Sequence, residues 1–116
     1  MVLSRFRQTG GAPDRRAAPR ERVARRSKLM FGGHAEDCRI TDISGSGARI
    51  SSLRALPSKG AVVIVVDLAT GFAHEGQVAW AKDGEAGIAF SQSRDLRGLI
   101  PASLQAAKAL WTLETR

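Results

Sequence analysis

The stretch Cys38-Arg-Ile-Thr-Asp-Ile-Ser-Gly-Ser-Gly-Ala-Arg-Ile50 decides the fold class of this chain. Apolar and polar residues alternate on both sides of a Ser-Gly-Ser-Gly interruption, which is the period of two that a half-buried β-strand requires. Serine and glycine at the interruption favour a tight turn. The stretch therefore predicts two antiparallel strands that are joined by a turn at residues 45–47.

Similar strand signals lie on both sides of this stretch. Before it, the mixed run from Val23 to Phe31 is closed by two glycines. After it, the continuous β-branched run Val62–Val66 is typical of a strand that is buried on both faces. Asp83-Gly84 is a strong hairpin signal, and Ile88 and Phe90 alternate with small residues in the strand that follows.

The segment before this hairpin carries the alternating sequence Val78-Ala-Trp-Ala81. It predicts a strand with Val78 and Trp80 on one face. Trp80 could offer a stacking face near the site, but core filling is the favoured role. Together the signals give about six short strands with no helix between them. This pattern predicts an all-β fold, a six-stranded antiparallel barrel whose closure removes exposed strand edges.

The end of the chain predicts a helix instead. Pro101 suits the first helical position, and apolar residues follow at spacings of three and four: Leu104, Ala107, Leu110 and Trp111. We expect this helix to pack on the sheet, with Trp111 in the seam. The predicted organisation is a flexible leader at 1–13 and a domain at 14–116, which comprises an Arg-rich segment at 14–22, the barrel at 23–91 and a C-terminal helical region at 93–113.

The net charge of +7 is concentrated at the start of the chain. Residues 1–28 contain nine Arg and Lys residues against two acids, whereas the remaining residues are neutral in sum. Such a segment attracts an anion, which could be a nucleotide phosphate, nucleic acid or an acidic lipid surface. A plain solvated basic tail is the other interpretation of the same charge.

Two motifs give this charge a specific meaning. The first is Arg16-Ala-Ala-Pro-Arg20, preceded by Arg15, and the second is Asp42-Ile-Ser-Gly-Ser-Gly47. Together they resemble the RxxxR and (D/N)xSxxG signatures of the PilZ family. Gly76-Gln-Val-Ala-Trp80 and Gly87-Ile-Ala-Phe90 also resemble later strands of that family, so that the likeness covers roughly residues 14–113. The resemblance implies a PilZ-type barrel that is a cytoplasmic receptor for the bacterial second messenger cyclic di-GMP.

The chemistry of the motif residues fits such a ligand, which carries two phosphates and two guanines. Arginine pairs bidentately with phosphate or with guanine O6 and N7, and its planar face stacks on bases. A carboxylate accepts from the donors on the Watson–Crick edge of guanine, a serine adds a hydroxyl contact, and a glycine permits a positive φ or a close backbone approach. The resemblance implies these roles for Arg16, Arg20, Asp42, Ser44 and Gly47, and it implies a ligand-induced ordering of the Arg-rich segment. In the family, an arginine placed like Arg15 often accompanies the capture of two stacked ligands.

Other interpretations of these residues stay open. Arg22-Val-Ala-Arg-Arg26 is a second RxxxR copy, which shows how easily an Arg-rich segment produces the motif. The Asp42–Gly47 segment could be a plain turn, and Asp42 could form an ordinary salt bridge with an arginine. The chain could also be a basic-arm nucleic-acid-binding protein, although its arm offers only Phe6 for stacking. A PilZ-like protein-interaction module that does not bind nucleotide is the third alternative.

Several classes of protein do not fit the sequence. His34 and His74 lack ligand spacing with Cys38, so we expect no metal site and no cofactor. No nucleophile elbow and no paired carboxylates are visible, so we expect no enzyme. No apolar run reaches about 18 residues, and no secretory signal is visible, so we expect a cytoplasmic protein without membrane insertion. The expected partners are cyclic di-GMP and a downstream protein, in preference to nucleic acid.

Overall fold

Six antiparallel strands close into a barrel in the computed structural model, which describes residues 20–54 and 56–115. The strands are β1 Glu21–Phe31, β2 His34–Ile43, β3 Gly47–Ser51, β4 Val62–Asp67, β5 Phe72–Lys82 and β6 Glu85–Asp95. Around the barrel they follow the order β1-β2-β3-β6-β5-β4. The all-β, six-stranded antiparallel barrel predicted from the sequence is therefore confirmed. The leader predicted at 1–13 lies outside the described residues.

The barrel interior is filled by the alternating apolar residues of the strands. Its fully buried side chains are Leu29, Ile40, Ile50, Val63, Val65 and Val78. Burial of each such side chain contributes about 1.5–3 kcal/mol. Between β5 and β6 the chain turns at Asp83 and Gly84, whose φ angles of 53° and 77° are left-handed. This is the turn that matches the twist of two antiparallel strands, as the Asp-Gly pair predicts.

A second apolar cluster lies on the outer surface of the barrel. One turn of 3₁₀-helix, Ala102–Leu104, leads into the helix α1, Gln105–Thr115, and Pro101 stands just before that turn. The helical residues Leu104 and Ala107 cover the strand residues Val66 and Ala73, with Trp111 at the side of the cluster. The C-terminal helix and its packing on the sheet are therefore confirmed, with Trp111 in the seam.

Two predicted features of the strands need correction. Val62 is 71% exposed, so β4 is not buried on both faces at its first residue. The strand β6 continues to Asp95, because its polar end pairs with β5 as far as Phe72. The strands thus run from residue 21 to residue 95, beyond the predicted 23–91. The helical region begins at 102 and not at 93.

A β-bulge in β5 corrects the prediction for Trp80. Val78 pairs with Ile88 and Trp80 pairs with Gly87, so the two partners are one residue apart while the two residues of β5 are two apart. The extra residue, Ala79, reverses the alternation of side chains along β5. Val78 points into the barrel, whereas Trp80 lies on the outer surface and is 40% exposed. Trp80 does not fill the core.

Candidate functional site

The start of β1 lies beside the end of β2. Glu21, the first residue of β1, is the cross-strand partner of Ile43, the last residue of β2. This register brings Arg20 next to Asp42, with 3.7 Å between Arg20 Nη1 and Asp42 Oδ2. The structure therefore brings together one residue from each sequence motif on the same outer face of the barrel.

Asp42 is the electrostatic centre of this face. Its cross-strand neighbours are Arg22 on β1 and Arg49 on β3, and of the three nearby arginines only Arg20 lies within ion-pair distance of the carboxylate. The side chain of Asp42 is 17% exposed, and its Oδ1 is buried without a hydrogen-bond partner among the described residues. A buried acceptor without a donor costs about 1–3 kcal/mol. An incoming N–H donor would therefore recover free energy at this atom.

The turn after Asp42 is held by its own serine. The backbone N–H of Ser44 donates to the Gly47 carbonyl over 2.9 Å, and Ser44 Oγ accepts from the backbone N–H of Ser46 over 3.3 Å. The Ser46 carbonyl in turn accepts from the Phe90 N–H on β6 over 2.9 Å. The Ser44 hydroxyl thus stabilises the turn, in agreement with the plain-turn interpretation, and it is half-buried.

Gly47 is required by a close approach of two backbones. A Cβ atom at this position would collide with the carbonyl oxygen of Ile88 on β6. The φ angle of Gly47 is not positive, so of the two roles considered for this glycine only the close approach applies. It keeps β3 tight against β6 below the turn, which fixes the position of the turn relative to Trp80.

An open cleft of about 190 Å³ runs across this face. Arg20, Gly47, Arg49, Trp80 and Gly87 line it. The Trp80 ring lies directly over Gly87, where any side chain would collide with the indole, and the guanidinium carbon of Arg49 is 5.9 Å from the centre of that ring. The cleft thus combines the flat indole of Trp80 with the guanidinium groups of Arg20 and Arg49.

A comparison with protein families now identifies the chain. The model of the PilZ domain matches residues 14–102. The chain belongs to the PilZ family. PilZ domains are receptors for cyclic di-GMP and are not enzymes in general. No curated protein matches the chain.

The motif residues of this PilZ domain differ in how far the structure describes them. Arg20 and Gly47 line the cleft, and Asp42 and Ser44 lie next to it, at the end of β2 and in the turn that follows. Arg15 and Arg16 lie outside the described residues. The second RxxxR copy, Arg22 to Arg26, lies inside β1. There Arg26 donates a hydrogen bond to Glu114 of α1 over 3.4 Å. This copy therefore includes a residue that contacts the C-terminal helix.

Sequence reasoning missed Arg49 and misplaced Trp80. Arg49 alternates with the core residues Ala48 and Ile50, and this pattern already placed its side chain on the outer face of β3. Its distance from the motif in space, however, depends on the pairing of β2 with β3. Sequence reasoning considered Trp80 as a stacking face but favoured the core, because simple alternation points the side chain into the barrel and only the bulge turns it outward.

The thiol of Cys38 lies outside the cleft. Burial raises the pKa of the Cys38 thiol to about 11, although a hydrogen bond with Ser27 opposes the rise. Cys38 is therefore an unreactive thiol beside the core.

Over residues 20–54 and 56–115, His, Cys, Asp and Glu side chains form no group of three that could hold a metal ion. Of the helices that the structure describes, none is long and apolar enough to cross a membrane.

Proposed function

We propose that this PilZ domain binds cyclic di-GMP between its Arg-rich segment, residues 14–22, and the outer barrel face at Asp42–Gly47. The observation that carries the proposal is the 3.7 Å approach of Arg20 to Asp42, whose second carboxylate oxygen has no described donor. A guanine brings two donors, N1–H and N2–H₂, on its Watson–Crick edge. Asp42 would accept from them, and the surrounding arginines would offset the ligand phosphates.

The cleft supports a role for stacking in the same site. We expect a guanine to stack on the indole of Trp80, beside the guanidinium of Arg49, because both groups present flat faces to purines. Stacking of a base on an aromatic side chain is worth about 1–3 kcal/mol. Trp80 and Arg49 therefore join Arg15, Arg16, Arg20, Asp42, Ser44 and Gly47 as proposed ligand contacts.

The size of the cleft supports a contribution from the Arg-rich segment. Sites that enclose a small ligand usually have about 300–1,000 Å³, which is more than the 190 Å³ found here. A second wall is needed, and Arg20, which directly precedes β1, lies on the edge of the cleft. We propose that this segment orders over the bound nucleotide. The change would create or hide a surface for a downstream protein, in a cytoplasmic effector without catalytic activity.

Isothermal titration calorimetry with cyclic di-GMP tests the assigned site. We expect wild-type affinity in the micromolar range or tighter, at about −8 kcal/mol or better. Arg16→Ala, Arg20→Ala and Asp42→Asn should each weaken binding about tenfold or more, because each removes a charge-assisted contact. Arg94→Ala is the matched control, since Arg94 is an exposed arginine in the polar end of β6. Equal affinity in all four variants would reject the site.

The same titration tests the two-ligand mode through its stoichiometry. We expect close to two nucleotides per chain for the wild type and close to one for Arg15→Ala. A single-stranded DNA titrated in parallel addresses the nucleic-acid alternative. DNA that binds more tightly than the dinucleotide, with a steep salt dependence and no response to Asp42→Asn, would favour that alternative.

Limited trypsin digestion tests the ordering of the Arg-rich segment. Cleavage after Arg15 and Arg16 should slow in the presence of cyclic di-GMP, whereas cleavage after the exposed Arg54 should keep its rate. An unchanged pattern with saturating nucleotide would show that binding does not order the segment.

A further inference from the structure

The cleft at Arg20, Arg49 and Trp80 is called the nucleotide cleft below. The outer face of the barrel continues beyond it into a second basic region. Arg26 on β1 is the direct cross-strand partner of Arg39 on β2, and both side chains are exposed. Like charges directly opposite each other destabilise a sheet. Arg26 is compensated by Glu114 of α1, but no described Asp or Glu lies within ion-pair distance of Arg39 or of Arg54.

Arg39 and Arg54 line one cleft, which we call the β3 cleft. It has a volume of about 490 Å³ and is bordered by Asp37, Arg39, Ser51, Ser52, Leu53 and Arg54. The single acid among these residues is already engaged, because Asp37 receives Lys28 Nζ at 2.6 Å. The hydrogen bond and charge of Lys28 lower the pKa of Asp37, with smaller contributions from Arg26 and Arg54. The guanidinium groups of Arg39 and Arg54 therefore have no ion-pair partner among the described carboxylates.

The segment that carries Leu53 and Arg54 is fixed although it is exposed. Ser52 Oγ donates to the Asp37 carbonyl over 3.2 Å and accepts from the Arg54 N–H over 3.1 Å, while the Ser52 N–H donates to the Gly84 carbonyl over 2.9 Å. The side chain of Leu53 is nevertheless fully exposed. An apolar side chain is thus held in solvent in the same cleft as two arginines, in a position that requires little ordering on binding.

We propose that the β3 cleft binds an acidic segment of a partner protein that also carries an apolar side chain. Acidic side chains of the partner pair with Arg39 and Arg54, and its apolar side chain packs on Leu53. Nucleic acid fits this surface less well, because two free arginines supply about two phosphate contacts, whereas tight complexes make about 6–10. An aliphatic side chain such as Leu53 also offers no stacking platform for bases.

The β3 cleft is adjacent to the nucleotide cleft but shares no lining residue with it. Arg49 belongs to the nucleotide cleft and Ser51 to the β3 cleft, and these residues are about 7 Å apart along the strand. Both clefts can therefore be occupied at the same time. The β3 cleft provides a site for the downstream partner proposed above, but its binding does not require the nucleotide.

Fluorescence anisotropy with short labelled peptides tests the β3 cleft on the full chain. The peptides permute glutamate and leucine positions, and each has a twin with glutamine in place of glutamate. We expect saturable binding of some acidic peptides and about tenfold weaker binding of their glutamine twins. Arg39→Ala, Arg54→Ala and Leu53→Ser should each weaken the binding of the acidic peptides, while Arg94→Ala should not.

The same assay separates the two proposed sites. Asp42→Asn and Trp80→Ala should leave peptide binding unchanged, and Arg39→Ala and Arg54→Ala should leave cyclic di-GMP binding unchanged. The β3 cleft proposal is overturned if no peptide binds saturably at about 1 mM. It is also overturned if the glutamine twins bind equally, or if a single-stranded DNA binds more tightly than every peptide and responds to the same variants.

Discussion

Two aspartates in similar turns have opposite surroundings. Asp67 ends β4 and leads through a turn to Gly71, as Asp42 leads through a turn to Gly47. Asp67 is 1% exposed and fully engaged: Oδ2 accepts from Arg25 over 2.9 Å, and Oδ1 accepts from the backbone N–H groups of Ala69 and Thr70. Asp42 has one oxygen without a described donor and one at 3.7 Å from an exposed arginine.

The difference separates a carboxylate whose hydrogen bonds are completed within the barrel from one whose hydrogen bonds are not. Folding satisfies almost all buried polar groups, because an unpaired one costs free energy. Asp42 Oδ1 and Trp111 Nε1 are buried without a hydrogen-bond partner among the described residues, and the nucleotide of the proposed function would supply the missing donor at Asp42. The two turns therefore predict different consequences for the same substitution, in stability at one and in affinity at the other.

Asp67→Ala should give the largest effect on stability. The substitution removes the partner of Arg25 and leaves two turn N–H groups without their acceptor, so we expect the free energy of unfolding to fall by about 3 kcal/mol. Urea denaturation measures the loss. Asp42→Ala is the matched control and should leave stability unchanged or raise it, because the substitution removes a long ion pair together with a buried oxygen that has no described donor. Equal destabilisation by the two substitutions would remove the contrast between the turns.

The two glycines that close these turns should respond alike in stability but not in binding. Gly47→Ala forces β3 away from the Ile88 carbonyl. Gly71→Ala introduces a side chain at a φ of +80°, where its Cβ would lie 2.9 Å from Trp111 Cζ2. We expect each to cost about 2 kcal/mol. Only Gly47→Ala should also weaken cyclic di-GMP binding, which calorimetry at a temperature where both variants are folded can establish.

Trp80→Ala tests whether the nucleotide stacks on the outer face of the barrel. The ring is 40% exposed and rests on Gly87, so its removal should lower the free energy of unfolding by about 1 kcal/mol or less. Affinity for cyclic di-GMP should fall about tenfold, because a stacked base loses its aromatic partner. Trp80→Phe retains a smaller ring and should recover part of the affinity. Wild-type affinity in Trp80→Ala would exclude stacking on this residue.

The strand pattern was predictable because it is local. The alternation on both sides of residues 45–47 and the Asp-Gly pair are complete within a few residues, so the barrel strands and their hairpin could be inferred from the sequence. The polar end of β6, Ser91 to Arg94, has no apolar alternation of its own and depends on pairing with β5. The same holds for Trp80. Its orientation is set by a β-bulge that no nearby residue type predicts.

The site was predictable only where a motif marks it. The resemblance singled out Arg20 and Asp42, and the register of β1 and β2 brings them together. Arg49 belongs to neither motif and reaches the cleft through the pairing of β3 with β2 and β6. The ion pair of Arg25 with Asp67 joins residues 42 positions apart, and no local pattern connects two such residues.

The pH dependence of stability at His74 provides the smallest expected effect, and it tests the surroundings of Asp67, where the hydrogen bonds are complete. The ring is buried, stacks on Phe90 at 4.4 Å between centres, and hydrogen-bonds Ser93 Oγ through Nδ1 at 2.7 Å. Burial lowers the pKa of His74 below its ordinary value of 6.5; the Asp67 carboxylate opposes this shift and Arg25 adds to it. Because the folded state resists protonation, the stability contribution of His74 is complete above pH 6.5 and is lost as pH falls through the lowered pKa.

Urea denaturation of the wild type and of His74→Gln between pH 7.5 and pH 5 measures this linkage. One proton taken up only by the unfolded state reduces the free energy of unfolding by at most about 1.4 kcal/mol per pH unit. His74→Gln keeps a polar partner for Ser93 but cannot titrate, so its stability should fall less over this range. The carboxylates with lowered pKa values, Asp37 and Asp95, start from an ordinary value of 3.8 and lose their contributions only at lower pH. Parallel curves for the two proteins would mean that His74 is protonated as readily in the fold as in the unfolded chain, and that the polar contacts around it do not depend on its neutral form.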